Sequence, residues 1–431
     1  MGFSQALSGL NAAKANLDTL GNNIANSQTV GFKASNTLFA DVFANADVGL
    51  GTQVSSVLQN FSEGNLEATN RELDLAVSGE GFFRMQQNGE TVYSRNGQLT
   101  MDAEGYLTNA QGARLMGYGL NDANNPFSEV VAGGQPEVLR VPSAAMPAQA
   151  TNEINAVYNL DASIVDSGSA NPTPLETATV ENDAGGTQPI NYHYSNSFTT
   201  FDSLGTARNV TVYYQKTGVN EWQGNVALDG RINDSTTAGT DDNQFTLQFN
   251  SSGALTNVTP ASAGGTNNAT DFTFTQDQLG GEAENLNTEF RLAGTTQFSN
   301  DSTASSLTQN GYTAGTLVGI EIEDDGNITR NFSNEQSQSA GQIALANFRN
   351  PEGLKSAGDN AWTETAASGG ELVGAPGTGV LGGITAGAVE TSNVDMASEL
   401  VDMIVAQRAY QANSQTIKVE DEILQSAVNL R

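Results

Sequence analysis

Apolar residues at the two ends of the chain recur at helical spacing, whereas those in the middle do not. Phe3, Ala6, Leu10, Ala13, Leu17, Leu20 and Ile24 step by alternating threes and fours, which predicts an N-terminal helix over about residues 4–28. Gly21-Asn22-Asn23 is its expected weak point and Gly31 its expected stop. At the far end Met396, Met403, Tyr410, Ile417 and Leu424 recur at heptad spacing, and Leu400 and Val428 extend the same stripe. No Gly or Pro interrupts Ala388 to Arg431, so a helix of roughly 35 residues, about 50 Å long, is expected there. Ser392 or Asn393 is its expected N-cap, with Asp395 and Glu399 near its positive end. A seam this narrow cannot be buried by one helix alone and asks for a helical partner. Gln407, Ser414 and Asp421 interrupt it, and they face either bulk solvent or a water-filled channel. Residues 1–30 and 396–431 therefore read as one coiled-coil-like assembly domain. Such helices are marginal in isolation, so the expectation is that they are unfolded in the monomer.

The middle alternates with period two. Phe82-Phe83, Thr91 to Leu99 and Tyr106 to Tyr118 are short stretches punctuated by Asn88-Gly89, Asn96-Gly97 and Glu104-Gly105, read as hairpin signals. Ile320 and Ile322 lead into an Asp325-Gly326 turn and then Ile328 and Phe332. Val210 to Tyr214, Trp222 to Leu228 and Phe245 to Phe249 repeat the theme. The fold class is therefore multidomain, with helical termini and mainly antiparallel β domains. Residues 146–285, rich in Thr, Asn, Ser, Asp and Gly, read as a β domain inserted into another formed by 71–145 and 286–365. Residues 31–70 and 366–395 are expected to connect it to the helices. Nesting of this kind keeps both termini at one end, as paired terminal helices require.

Charge sharpens this division. The chain carries 17 basic and 48 acidic residues, a net of −31. Residues 1–70 and 391–431 each contribute only −3, so −25 falls on residues 71–390. An acidic middle suits water, and near-neutral ends can approach copies of themselves. The balance excludes nucleic acid and anionic membrane surfaces as partners. With no cysteine there is no disulfide framework, thiolate metal site or cysteine nucleophile. No apolar run is long enough to span a bilayer, so no membrane insertion is expected. The first residues lack the pattern of a cleaved signal peptide, and Ala6 removes the myristoylation motif.

Specific motifs go further. Asn22, Asn23, Ile24, Ala25 and Asn26, followed by Thr29, Gly31, Phe32 and Lys33, resemble the N-terminal signature of bacterial flagellar rod and hook proteins. The segment from Ser392-Asn393-Val394-Asp395 through Ile404, Gln407, Arg408, Tyr410, Gln411 and Asn413 is similar to the matching C-terminal signature. Gly79-Glu80-Gly81-Phe82-Phe83, Ser94-Arg95-Asn96-Gly97, Ser333-Asn334-Glu335-Gln336 and Asn360-Ala361-Trp362 resemble hook proteins in particular. The resemblance implies a subunit of the flagellar hook, a curved, bendable tube that passes torque from rod to filament. It implies a helical homopolymer that meets a distal rod protein, a hook cap protein and a hook–filament junction protein. It also implies export through the flagellar type III apparatus to an extracellular position. Some spirochaete hooks are cross-linked through a cysteine, a chemistry closed to this chain.

Other chemistries find little support. His193, the lone histidine, lies between tyrosines with no Gly-x-Ser-x-Gly elbow, and reads as packing or surface. Glu323-Asp324-Asp325 and Asp241-Asp242 lack the spacing of a calcium loop. Gly49-Leu50-Gly51 has no phosphate-loop lysine, and the Asn-x-Thr/Ser triplets at Asn209, Asn233, Asn257 and Asn268 are compositional. Phe32, Phe39 and Phe43 read either as a partner-binding stripe or, more often at such spacing, as core or interdomain packing. No enzyme activity, cofactor or metal is expected. The alternatives are a distal rod subunit, for which the chain is long, and a secreted β-rich adhesin, which would not need paired helical ends.

Overall fold

The computed structural model describes residues 2–42, 51–122, 124–131, 133–182, 185–232 and 243–429. Phe43, Gly49-Leu50, Asn233 and Asp241-Asp242 lie outside the described residues, as does the Val428 side chain. The chain forms two units: Met1–Ala144 with Val318–Asn331 and Ser337–Arg431, and Ala145–Leu317 with Phe332–Gln336.

The first unit carries both helices, α1 (Gly2–Ala25) and α2 (Met396–Asn429). The Gly21-Asn22-Asn23 step does not break α1, because the Asn23 side chain is held by groups outside the helix (below) and does not compete for its backbone. The cap of α2 also differs from expectation. Asp395 Oδ1 accepts the amides of Ala397 and Ser398, while Asn393 is engaged elsewhere. Residues 31–70, read from the sequence as a connector, contain a hairpin of β1 (Ser35–Asp41) and β2 (Thr52–Gln59).

The body of this unit is a mainly antiparallel sheet running through Ser337–Ile343, Arg114–Tyr118, Phe82–Gln87, Glu90–Ser94 and Ala361–Thr363. Asn88-Gly89 makes the expected tight turn, with φ of 52° and 85° and Gln87 opposite Glu90. Glu104-Gly105 also turns, joining Met101 to Leu107. Asn96-Gly97 does not make a hairpin. Gly97 instead lies so close under Leu75 that a Cβ would meet its carbonyl at 2.0 Å, so the glycine marks close strand approach. Leu75, Val77, Phe83, Met85, Leu115, Ile343 and Ile384 form the core. Phe61, Phe82, Tyr93, Phe348 and Trp362 make an edge-to-face aromatic cluster beside it. The acidic run Glu323-Asp324-Asp325 is a hairpin turn, with Asp325 Oδ1 accepting the Asn327 amide.

The second unit is two sheets closed on one core. Period-two burial places Ile154, Ala156, Tyr158 and Leu160 inward from Glu153–Asp161, and Val210, Val212 and Tyr214 inward from Ala207–Gly218. Trp222 is fully buried between them, and its Nε1 donates to Gln297 Oε1 at 2.6 Å. Gly224 lets the Phe245 ring lie flat on the backbone, where a Cβ would come within 2.3 Å. His193 packs edge-on to Trp222 at 6.2 Å, and its Nδ1 accepts the Lys216 amide. The unit boundary also moves. Residues 286–317 were expected with the flanking strands, but Leu286–Arg291 and Thr296–Phe298 pair in parallel with Glu153–Asp161, and Thr303–Gln309 pairs antiparallel with the same strand. Parallel partners far apart in sequence leave no local dipeptide signal. Truncating the central side chain tests this core: Trp222→Ala is expected to destabilise the second unit by about 3–5 kcal/mol in urea titrations.

Candidate assembly interface

The signature residues converge on the roots of the two helices. Asn23 is fully buried: its Nδ2 donates to Ser35 O at 2.9 Å and to Glu399 Oε1 at 3.1 Å, and its Oδ1 accepts the Ser35 amide at 2.9 Å. One side chain thus joins α1, β1 and the first turn of α2. Asn26 closes the end of α1, its Oδ1 accepting from Thr29 Oγ1 and its Nδ2 donating to Asn22 O. Ile24 is half-buried, whereas Asn22 and Ala25 are exposed. Gly31 follows at φ 71°, where a Cβ would strike the Asn96 amide nitrogen at 2.6 Å. Phe32 is buried.

Lys33 ends this stretch in a buried ionic cluster. Its Nζ donates to Glu390 Oε1 and Ser62 O, both at 2.6 Å. Glu390 Oε2 accepts from Arg95 Nη1 at 3.2 Å, and Oε1 also accepts the Gly64 amide at 2.8 Å. Arg95 also donates from Nη1 to Val77 O and from Nη2 to Gly79 O, and lies over the Phe82 ring. Burial pushes the Lys33 ammonium below its ordinary value, against the opposing pull of Glu390. The Glu390 carbonyl accepts the Gly31 amide, and Asn393 receives Ala34 N and donates to Asn60 O and Ser62 O. The chain entering the body from α1 and the chain leaving it for α2 are therefore fastened to each other. Glu390 does not stand out in the sequence motifs, and Asn393, expected as the cap of α2, serves this joint instead. A lone Glu ending the apolar run Ala388-Val389 was the available signal, because an unexplained charge in a buried strand needs a partner.

Beyond this root α1 and α2 run antiparallel, with Asn23 beside Glu399 at one end and Gly9 against Asn413 at the other. A Cβ on Gly9 would approach Asn413 Nδ2 to 2.8 Å, and Ala6, Ala12, Ala13, Leu20 and Ala406 are the buried apolar residues described in the pair. Small side chains set this close spacing. Of the predicted N-terminal seam, Ala6, Ala13 and Leu20 are buried, Leu10 and Leu17 half-buried, and Phe3 exposed. On α2 the structure places Met403 and Ile417 half-buried, and Met396, Leu400, Tyr410 and Leu424 exposed. Gln407 and Asp421 are exposed and Ser414 half-buried, so it is Asn413 that meets α1. Ser8 Oγ accepts the Thr52 amide and Thr37 Oγ1 donates to Thr19, which ties the hairpin to α1. A groove of about 540 Å³ remains between helices and hairpin, lined by Leu20, Phe39 and Val405 among others.

The outward faces are apolar. Val401, Ile404, Val405 and Ile423 on α2, and Phe39 and Val57 on the hairpin, are each between 46% and 60% exposed. A continuous apolar stripe left open on a helix is an interaction surface.

The buried cluster is testable by stability. Glu390→Gln leaves two cations without their carboxylate and is expected to cost the first unit about 3–5 kcal/mol in chemical denaturation. Breaking the exposed Arg231–Glu181 pair with Arg231→Gln is expected to cost about 0–1 kcal/mol.

Comparison with known proteins finds relatives along the whole chain. Residues 4–33 match the model of the flagella basal body rod protein family, and 385–430 that of the flagellar basal body rod FlgEFG protein C-terminal region. Residues 76–155 match the flagellar hook protein FlgE/F/G D1 domain, and 159–312 the flagellar basal body protein FlaE D2 domain. The crystal structure of Helicobacter pylori flagellar hook protein FlgE2 covers 75% of this chain and all of its own, with a TM-score of 0.52 at 14% identity, a likeness of fold. The flagellar hook protein FlgE of Borreliella burgdorferi is 30% identical over 454 residues, covering 99% of this chain and 98% of that protein. The flagellar hook protein FlgE of Escherichia coli K12 is 43% identical over 435 residues, spanning both chains completely. With relatives of that identity matched from end to end, the chain belongs to the flagellar hook protein FlgE family.

Proposed function

We propose that this chain is a structural, non-enzymatic subunit of the bacterial flagellar hook, polymerising with copies of itself into a curved, bendable tube that carries torque from rod to filament. The observation that carries the reading is the apolar stripe on α2, open along Leu400, Val401, Ile404 and Val405 in a helix whose other face is already closed by α1. Water opposes such a surface, and in a many-copy cylinder each stripe finds the neighbour that one chain lacks. Family membership supports the same partners: a distal rod protein below, a hook cap protein during growth, and a hook–filament junction protein above.

In this reading the terminal segments 1–30 and 396–431 form a coiled-coil-like inner domain, helical in the polymer and unfolded in the free monomer. An unfolded end passes a narrow type III export channel, and ordering on arrival gives growth its direction. The small buried residues of α1 support this picture, since Ala and Gly bury too little apolar area to hold two helices together unaided. The acidic β middle, with the second unit as an inserted outer domain, keeps its surface hydrated. Neighbouring copies then slide past one another as the tube bends.

Removing residues 1–25 tests assembly. The full-length chain is expected to give curved tubes by electron microscopy, and the shortened chain only monomers, with the urea transition of the second unit unchanged. A shortened chain that still forms tubes contradicts the proposal.

A further inference from the structure

The first turn of α2 contains a charge that the helix pair does not satisfy. Asp395 occupies the helix N-terminus: its Oδ1 takes the Ala397 and Ser398 amides and its carbonyl takes the Glu399 amide. The Glu399 carboxylate turns toward α1, where Asn23 Nδ2 donates to Oε1. Asn23 has little more to give, since the same Nδ2 serves Ser35 O and its Oδ1 accepts Ser35 N. Glu399 Oε2 is buried, with no hydrogen-bond partner among the described residues. The charged groups acting on it are Asp402 and Asp395 of its own helix, both of like sign. From α1 and β1 it meets the neutral Asn23 side chain and the Ser35 backbone that Asn23 holds. A half-buried carboxylate with one oxygen sealed and unpartnered, one neutral donor and two anionic neighbours opposes the contact that creates it.

We propose that Glu399 is a proton-sensitive brake on the seating of α2 against α1, so that assembly tightens as the surroundings become mildly acidic. This rests on the assembly reading above and adds a control to it. Burial, reinforced by Asp402 and Asp395 and opposed by Asn23, raises the Glu399 carboxyl above its ordinary value. A raised folded-state value means that the paired state binds the proton more tightly. The added stability is complete below the ordinary carboxylate range and is lost as pH rises through the raised value. At neutral pH the brake is on, and a lone molecule does not seat its terminal segments. The contacts supplied by neighbouring copies then decide when they seat.

The test is the critical concentration for polymerisation of the full-length chain, measured by sedimentation from pH 8 to pH 5. Three chains are compared: the natural one, Glu399→Gln, and Glu422→Gln, which removes an exposed charge from the same helix. Acidification is expected to lower the critical concentration of the natural chain. Glu399→Gln is expected to start about three- to tenfold lower at pH 8 and to lose most of that dependence, because it carries no charge to desolvate. Glu422→Gln should keep the natural slope. A Glu399→Gln chain with the natural slope, or with a higher critical concentration at pH 8, overturns the brake and leaves the assembly reading intact. If no chain polymerises at any pH, the assembly reading fails, and helix content by circular dichroism reads the brake in single molecules. Helix gained toward acid in the natural chain but not in Glu399→Gln supports it, and identical profiles overturn it.

Discussion

One buried carboxylate governs how this chain begins and ends. Glu390 accepts from Lys33, from Arg95 and from the Gly64 amide, and all three charged side chains are sealed from water. Desolvating three charges is expensive, and their mutual attraction offsets that cost only in a single geometry. That geometry fixes residue 33 against residue 390, so the segments emerging from α1 and leading to α2 share one root. The Gly31 amide on the Glu390 carbonyl and the Asn393 side chain between Ala34, Asn60 and Ser62 complete the joint. The direction in which the helices leave the body follows from this cluster.

Beyond the root the physics changes. The helices touch through alanine, glycine and asparagine, which permit close approach but return little hydrophobic free energy. Leu20 apart, many of their large apolar side chains, such as Phe3, Leu400, Val401, Ile404 and Val405, lie exposed on faces that the chain itself does not cover. The second unit behaves in the opposite way. Strands such as Glu153–Asp161 alternate in burial, Phe245 meets Phe290 across two sheets, and one buried core joins them. A molecule with self-sufficient β units and insufficient ends is built to be completed by copies of itself.

Much of this was legible beforehand because it is written in local periods. A three-four step announces a helix, and the run from Ala388 to Arg431 without Gly or Pro delivers α2. Asn88-Gly89 announces a hairpin because only a few residues tolerate its positive φ angles. Asn96-Gly97 carries the same letters for another reason: there the glycine lets two strands close up, a need that only the neighbouring chain imposes. The parallel pairing of Glu153–Asp161 with Leu286–Arg291 was illegible because its partners are separated by more than a hundred residues. The hairpin over Ser35–Asp41 and Thr52–Gln59 was missed because its exposed apolar residues break the usual inward alternation.

The sequence by itself determined which segments become helix and strand, where the acid charge accumulates, and that both ends carry more apolar surface than one chain can hide. Those properties depend on neighbours a few residues apart, or on sums over composition. Only the tertiary structure decided that Glu390 holds Lys33 and Arg95, that Asp395 and not Asn393 caps α2, and that Glu399 is left with an unanswered oxygen. The contacts of Glu390, the pairing of Asn23 with Glu399 and the engagement of Asn393 by Ala34, which leaves the cap to Asp395, all join residues hundreds of positions apart, and burial assigns such partners only once the chain has closed around them.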